Sequence, residues 1–239
     1  MTLGIALRQK NFRSFPLLPS VSSGNTWQDN FNRTTLNPTN SYPIYTSAVS
    51  TTGTVALSLG LCVLTTAASA NEYAKITSSE LFFEPFGYSP DTRNTINFDF
   101  IFQTTADITG LEFFVGLIIP TDTANVIPTT ARHLGIYLDQ SAGNNLILSS
   151  GDASTQATTD TGTAIAASTI YRIRISYTGS NSAVIQFFTG VSTDGIGTLI
   201  ATHTVTAIGA GVMMKKALVM AEGADAEVLN LVGWGFSVP

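Results

Sequence analysis

Residues 51–70 read TTGTVALSLGLCVLTTAASA, twenty positions without a charge inside an uncharged run from Thr34 to Asn71. A membrane-spanning helix, an export signal and a buried strand all begin from such a run. Val55, Leu57, Leu59, Leu61 and Val63 occupy alternate positions, with Ala56, Ser58, Gly60 and Cys62 between them. Period two sends the large side chains to one face of a pleated strand and the small ones to the other. A spanning helix is apolar all round over ~20 residues, whereas Thr51, Thr52, Thr54, Thr65, Thr66 and Ser69 flank this apolar centre. An export signal belongs at the N-terminus, where Arg8, Lys10, Arg13 and Pro16 interrupt any apolar core. The stretch is expected to be one buried strand.

The same rhythm runs down the chain. In NTINFDFIFQT, Ile96, Phe98, Phe100 and Phe102 alternate with Asn97, Asp99, Ile101 and Gln103, which predicts a strand with its aromatic face inward. Leu111 to Ile119 is nearly continuous apolar sequence and reads as buried on both faces. Short strands are expected at Tyr73–Thr77, Leu81–Phe86, HLGIYLD, NLILSS, Thr198–Thr206, Lys216–Glu222 and Val228–Val238. Ile170–Thr178 and Ala183–Thr189, joined by GSNS, predict a hairpin. In it Tyr171, Ile173, Ile175 and Tyr177 face one way, and Arg172 and Arg174 the other. No amphipathic helix of three turns is visible. About a dozen strands without intervening helices predict an all-β antiparallel sandwich of jelly-roll type.

Composition narrows the function classes. Only 11% of residues are charged, against ~25% in a typical soluble protein. Thr, 34 residues of it, with Ser, Asn and Gln must supply the polar surface. Hydrophobic content of 44% with 14 Phe is enough for a sizeable core and too much for long disorder. A net charge of −5 argues against nucleic acid as the main partner. The single Cys62 excludes an intrachain disulfide and is expected to be a small buried hydrophobe.

Residues 1–26 read differently from residues 27–239. They hold Arg8, Lys10 and Arg13, three of the eleven basic side chains, then FPLLPSVSSGN with its two prolines. A frayed terminus is the simple reading. Phe12, Phe15, Leu17 and Leu18 are many large apolar groups for a solvated tail, so an extended arm docking on a neighbouring subunit is expected instead. Residues 27–239 are expected to form one β-sandwich domain.

The segment WQDNFNRTTL resembles the first strand of concanavalin A-like (laminin G/glucanase-type) jelly rolls, which often open on an Asp-x-Phe-Asn-Arg pattern. IYRIRISYTGSNSAVIQFFTG is similar to their late hairpin, and AEVLNLVGWGFSVP sits where their final strand returns beside the first. The resemblance spans Trp27 to Pro239. With the low charge and the Thr, Ser, Asn and Ala richness, it also resembles structural components of tailed-phage virions. It implies fold more directly than function.

Chemistry is sparse. Glucanases of this fold carry catalytic carboxylates on one strand as Glu-x-Asp-x-(x)-Glu, and nothing matches: Glu80 and Glu84 flank LFF, and Glu112 stands alone. Cleavage of a glycosidic bond needs two carboxylates ~5–10 Å apart, so no enzymatic activity is expected. His133 and His203 are the only histidines and no Gly-x-Ser-x-Gly is present, so both histidines read as structural. No metal-ligand spacing occurs, and Asp152, Asp160, Asp194, Asp225 and Glu227 read as solvated turn carboxylates; neither metal nor cofactor is expected. Sugar binding needs an exposed ring, for which Trp27, Trp234, Tyr88 and Tyr137 are the candidates. Trp234, between Gly233 and Gly235, is expected to pack rather than to bind.

Two roles follow, both by association and both in a virion made in the host cytoplasm. The first is a phage capsid decoration protein that binds the major capsid protein, other virion proteins and its own copies, as a homo-oligomer such as a trimer. It would use the arm and an apolar, weakly charged sheet surface. The second is an adhesin module of a tail fibre or spike that binds a host surface glycan. The absence of fibre-type repeats places decoration first. A hydrolase is the third reading, and a membrane partner is not expected.

Overall fold

Alternation at period two becomes strand almost wherever it occurs. The structure, a computed structural model, describes residues 25–29, 31, 45–78, 95–121, 124–179, 182–191, 197–206, 208 and 213–238. The first strands are β1 (Asn25–Asp29), β2 (Tyr45–Val49), β3 (Thr54–Ser58), β4 (Leu61–Thr65) and β5 (Tyr73–Ser78). Next come β6 (Ile96–Thr104), β7 (Leu111–Ile118), β8 (His133–Leu138), β9 (Asn145–Gly151) and β10 (Gln156–Ala164). The last are β11 (Ile170–Gly179), β12 (Ser182–Thr189), β13 (Thr198–Val205), β14 (Met214–Ala221) and β15 (Val228–Val238). Among the described residues there is no helix, and so none long and apolar enough to cross a membrane.

Two antiparallel sheets face one another. The eight-stranded sheet runs β13-β12-β11-β6-β15-β4-β3, with β1 also paired to β15, and the seven-stranded sheet runs β10-β9-β8-β7-β14-β5-β2. The core lies between them. Phe98, Phe100 and Phe102 of β6 meet Phe113 and Val115 of β7, the Phe102 and Phe113 rings 5.2 Å apart. Tyr171, Ile173, Ile175 and Tyr177 face inward as their alternation predicts, and β7 is buried on both faces except at Glu112. β1 opens at Asn25 and registers Trp27 against Phe236.

The opening stretch is a hairpin, not one strand. β3 and β4 register Val55 on Leu64 and Leu57 on Cys62, and only Leu59 and Gly60 connect them. Both take positive φ, 51° and 82°, the condition for the primed two-residue turn that suits a twisted hairpin. Leu59 is fully exposed at the tip, while Cys62 and Leu64 are buried. The inward set therefore changes phase at the turn, from odd to even positions. Cys62 is the small buried hydrophobe expected of it.

Three other expectations change. The Thr-rich segment around Asp160 is the edge strand β10, not a loop. The β11–β12 ladder continues to Gly179↔Ser182, so two residues connect those strands rather than four. The outer face of the eight-stranded sheet is not uniformly apolar, because it carries an ion cluster at its centre. Asp99 on β6 lies opposite Arg174 on β11, and both Arg172 and Arg174 bond its carboxylate. Arg172 Nη2 is 2.6 Å from Asp99 Oδ1, and the guanidinium lies 5.3 Å from the Phe188 ring centre. The strand expected at Leu81–Phe86, the arm residues Arg8, Lys10, Phe12, Arg13, Phe15, Leu17 and Leu18, and Tyr88 lie outside the described residues.

Both histidines are buried. His203 on β13 meets Ser150 Oγ of β9 at 3.0 Å and Thr159 Oγ1 of β10 at 2.8 Å, tying the edges of the two sheets together. Burial holds its pKa below the usual value, so the neutral ring is the folded form. Lys215 and Lys216 diverge from one strand and are both buried. Lys215 Nζ sits 5.6 Å from the Trp234 ring centre inside the sandwich. Lys216 Nζ donates to the Ala124 carbonyl at 3.0 Å on the outer side.

Candidate functional site

The outer face of the seven-stranded sheet holds a cleft in which polar and aromatic groups converge. Its floor follows from strand register. Glu112 of β7 lies opposite Met220 of β14, and Tyr137 of β8 lies between Phe114 and Ile147. Asp139 follows directly on β8, beside Glu112, because Phe113 pairs with Leu138. The β7–β8 connection, anchored by Ile119 N–H donating to Arg132 O and by Lys216 donating to Ala124 O, supplies Val126, Ile127 and Thr129. Gln156 at the start of β10 closes the far side of a cleft of about 320 Å³.

Close approach of β7 and β8 beside the cleft depends on glycine. Gly116 and Gly135 face one another across the ladder. A Cβ on Gly135 would lie 2.5 Å from Val115 O and 2.8 Å from the Phe114 ring, far inside contact distance. The Phe114 ring therefore rests on Gly135, and its edge meets His133 at 5.8 Å between centres.

Behind the cleft runs a buried relay. His133 Nδ1 is 2.6 Å from the Ala131 carbonyl, which only accepts, so this nitrogen carries the proton. Nε2 then accepts from Ser149 Oγ at 2.7 Å. Ser149 has its own proton committed, so its oxygen accepts from Gln156 Nε2 at 3.0 Å. The relay fixes the side-chain amide of Gln156. It also takes His133 and Ser149, both fully buried, out of reach of any substrate.

The cleft is acidic. Burial, the nearby charges of Asp139 and Glu222, and a hydrogen bond with Asp139 push the Glu112 carboxyl up to about 7. Burial and then the Asp139 charge raise the Tyr137 phenol above its usual value. Two connections beneath this end are held by Gln140, which accepts from Gly110 N–H at 2.8 Å and donates to Ile108 O at 2.6 Å.

Glu227, expected to be a solvated turn carboxylate, is buried. Thr66 holds its backbone by two reciprocal bonds, and burial with the charges of Asp107 and Asp225 raises its carboxyl to about 7. Its contribution to stability is complete below its ordinary value of 4.5 and is lost as pH rises through about 7. Glu227→Gln removes that loss. Its melting temperature relative to wild type should climb steadily from pH 4.5 into mildly alkaline buffer. A gap that stays constant across that range means the carboxyl is not held neutral by the fold.

Of the aromatic candidates, Tyr137 lines the cleft half-buried. Trp234 is turned into the core, 3% exposed, and offers no open ring face. Trp27 is described only by its backbone pairing in β1, and Tyr88 lies outside the described residues. Glu112, dismissed as solitary, gains Asp139 across the ladder. Gln156, Met220 and the β7–β8 connection had no signal in the sequence, because their convergence is a product of register and of a returning loop. Among the described residues, no group of three or more His, Cys, Asp or Glu is placed to hold a metal ion.

No protein-family model and no curated protein sequence matches the chain. Solved structures do match over nearly its whole length. A protein of unknown function from Shewanella oneidensis MR-1 is 13% identical, covers 93% of this chain and 90% of its own, and has a TM-score of 0.59. Peanut lectin is 12% identical, with coverage of 91% and 98% and a TM-score of 0.60. The CBM2 module of the evolved Dit protein of Lactobacillus casei BL23 phage J-1 is 11% identical, with coverage of 90% and 96% and a TM-score of 0.55. These likenesses establish the fold: an all-β, concanavalin A-like sandwich of two antiparallel sheets.

Proposed function

We propose that this chain is a non-enzymatic glycan-binding module, displayed by a phage virion to meet polysaccharide on the host surface. The observation that carries the reading is the meeting of Glu112, Tyr137, Asp139 and Gln156 in one open cleft beside the apolar side chains of Met220, Val126 and Ile127. Sugars present hydroxyls in a plane and C–H groups above it, and this pairing of polar acceptors with an aromatic ring and aliphatic walls answers both. Support in kind comes from the likeness to lectins, one of them solved with galactose, and to the phage Dit CBM2 module. Catalysis is disfavoured by placement. Glu112 and Asp139, the two carboxylates of the described lining, are neighbours on one side of the cleft floor, whereas carboxylates that cleave a glycosidic bond flank it ~5–10 Å apart.

Binding to an array of bacterial surface glycans tests this. Tyr137→Ala and Asp139→Asn should each weaken binding by about tenfold or more without unfolding the protein, because a stacked ring and a charge-assisted hydrogen bond are each worth ~1–3 kcal/mol. Wild-type and variant proteins binding alike would remove the cleft from the function. Capsid decoration, the other role expected from the sequence, depends on residues 1–26. Deleting them should leave glycan binding intact here, whereas a decoration protein would fall from purified heads.

A further inference from the structure

We propose that the cleft selects glycans carrying a free, protonated amine, hexosamine residues in particular, over their N-acetylated and acidic counterparts. The inference rests on the glycan-binding reading of the cleft and adds the ligand's chemistry to it. It follows from a donor and acceptor account of the lining. Gln156 brings both kinds of group, but its Nε2 is committed to Ser149, whose own proton goes to His133, whose other nitrogen is bound to Ala131 O. What remains of the amide for a ligand is Oε1, an acceptor, and the second Nε2 hydrogen, fixed in direction by the bond to Ser149. Glu112 and Asp139 contribute carboxyl oxygens. The Tyr137 and Thr129 hydroxyls serve either way, and neither Lys nor Arg is among the described lining residues. The site is thus rich in acceptors and negative in charge, with Glu222 adding to the field at Glu112.

An N-acetyl group brings a carbonyl acceptor and removes the positive charge. A uronic acid brings a carboxylate into a negative field. An ammonium group brings three donors and a positive charge that favours the ionised Glu112 carboxyl. Glu112 and Asp139 lie side by side across the β7–β8 ladder in the same cleft, and relief of that crowding is what separates an amine from a hydroxyl at the same position.

The test titrates the full chain with oligomers of glucosamine, of N-acetylglucosamine and of galacturonate, reading affinity and the NMR shifts of the Tyr137 ring. The glucosamine oligomer should bind at least about tenfold tighter than the acetylated one, the ratio expected of one charge-assisted hydrogen bond. Glu112→Gln should bring the two within about threefold. Ser149→Ala, which frees the Gln156 amide to turn, should improve binding of the acetylated oligomer. Asp225, exposed in the β14–β15 connection and not among the described lining residues, is the control for surface attraction. If Asp225→Asn weakens binding as much as Asp139→Asn does, the proposal is overturned. Equal binding of amine and acetylated oligomers at Tyr137 overturns it too, and leaves the glycan reading standing. No shift at Tyr137 with any glycan in the titration or the array overturns both.

Discussion

Asp99→Ala is expected to lower the free energy of unfolding by about 3 kcal/mol, the near end of the ~3–5 kcal/mol range for breaking a buried ion pair by removing one partner. The reason is asymmetry. Asp99 is 3% exposed and Arg172 5% exposed, so solvent cannot replace the lost carboxylate at Arg172. The aspartate also serves two guanidiniums at once, from Arg172 Nε at 2.9 Å and Nη2 at 2.6 Å and from Arg174 Nε and Nη2 at 3.1 Å each. Arg174 is the outer member, its side chain 25% exposed. Arg174→Ala should accordingly cost only ~1 kcal/mol, the value of a partly solvated pair. Urea denaturation of the two variants reads the contrast in the midpoint, at an unchanged slope. Equal losses would mean that the cluster is solvated as a whole and that β6 and β11 are held by their backbone ladder alone.

This cluster and the cleft lie on opposite outsides of the sandwich, and that separation organises the molecule. On the eight-stranded sheet, charge is satisfied internally: one carboxylate meets two guanidiniums. In the cleft of the seven-stranded sheet it is not, because Glu112 and Asp139 crowd together near Glu222 with no Lys or Arg among the described lining residues. The crowded carboxylates of the cleft, unlike the paired cluster, have something to gain from a cationic ligand.

The sequence carried the strands more clearly than the turns or the site. Phe98, Phe100 and Phe102 face inward because every second residue of β6 is aromatic, a pattern no other element type accommodates. The hairpin of β3 and β4 hid because Leu-Gly is not a turn signature, and apolar residues continue through it. Leucine in the left-handed region is costly, so only the ladder on either side holds Leu59 there. β10 hid because Thr and Asp on an exposed edge read as loop. Lys215 and Lys216 gave no warning of burial, since one points inward over Trp234 and the other outward beneath residue 124. Tyr137 was legible as a polar aromatic in a strand. Its partners were not, because Glu112 and Asp139 are 27 positions apart in the chain and become neighbours only through the β7–β8 register.

Trp234→Ala is expected to cost ~3–5 kcal/mol, the range for emptying a buried large aromatic site. The indole stands at the centre of an aromatic cluster, 5.8 Å from Phe31, 5.7 Å from Tyr45 and 6.0 Å edge-on from Phe100, between ring centres. Its Nε1–H donates to the Tyr45 hydroxyl at 3.1 Å, a bond from β15 of one sheet to β2 of the other. Trp234→Phe keeps most of the volume and loses this bond, so it should cost nearer ~1–2 kcal/mol. Neither variant should change glycan affinity where the protein remains folded, because the ring faces the interior and the cleft lies outside the opposite sheet. A Trp234→Ala protein that unfolds like wild type but no longer binds sugar would reverse this assignment. It would put the recognition surface on β15 and leave the acidic cleft without its role.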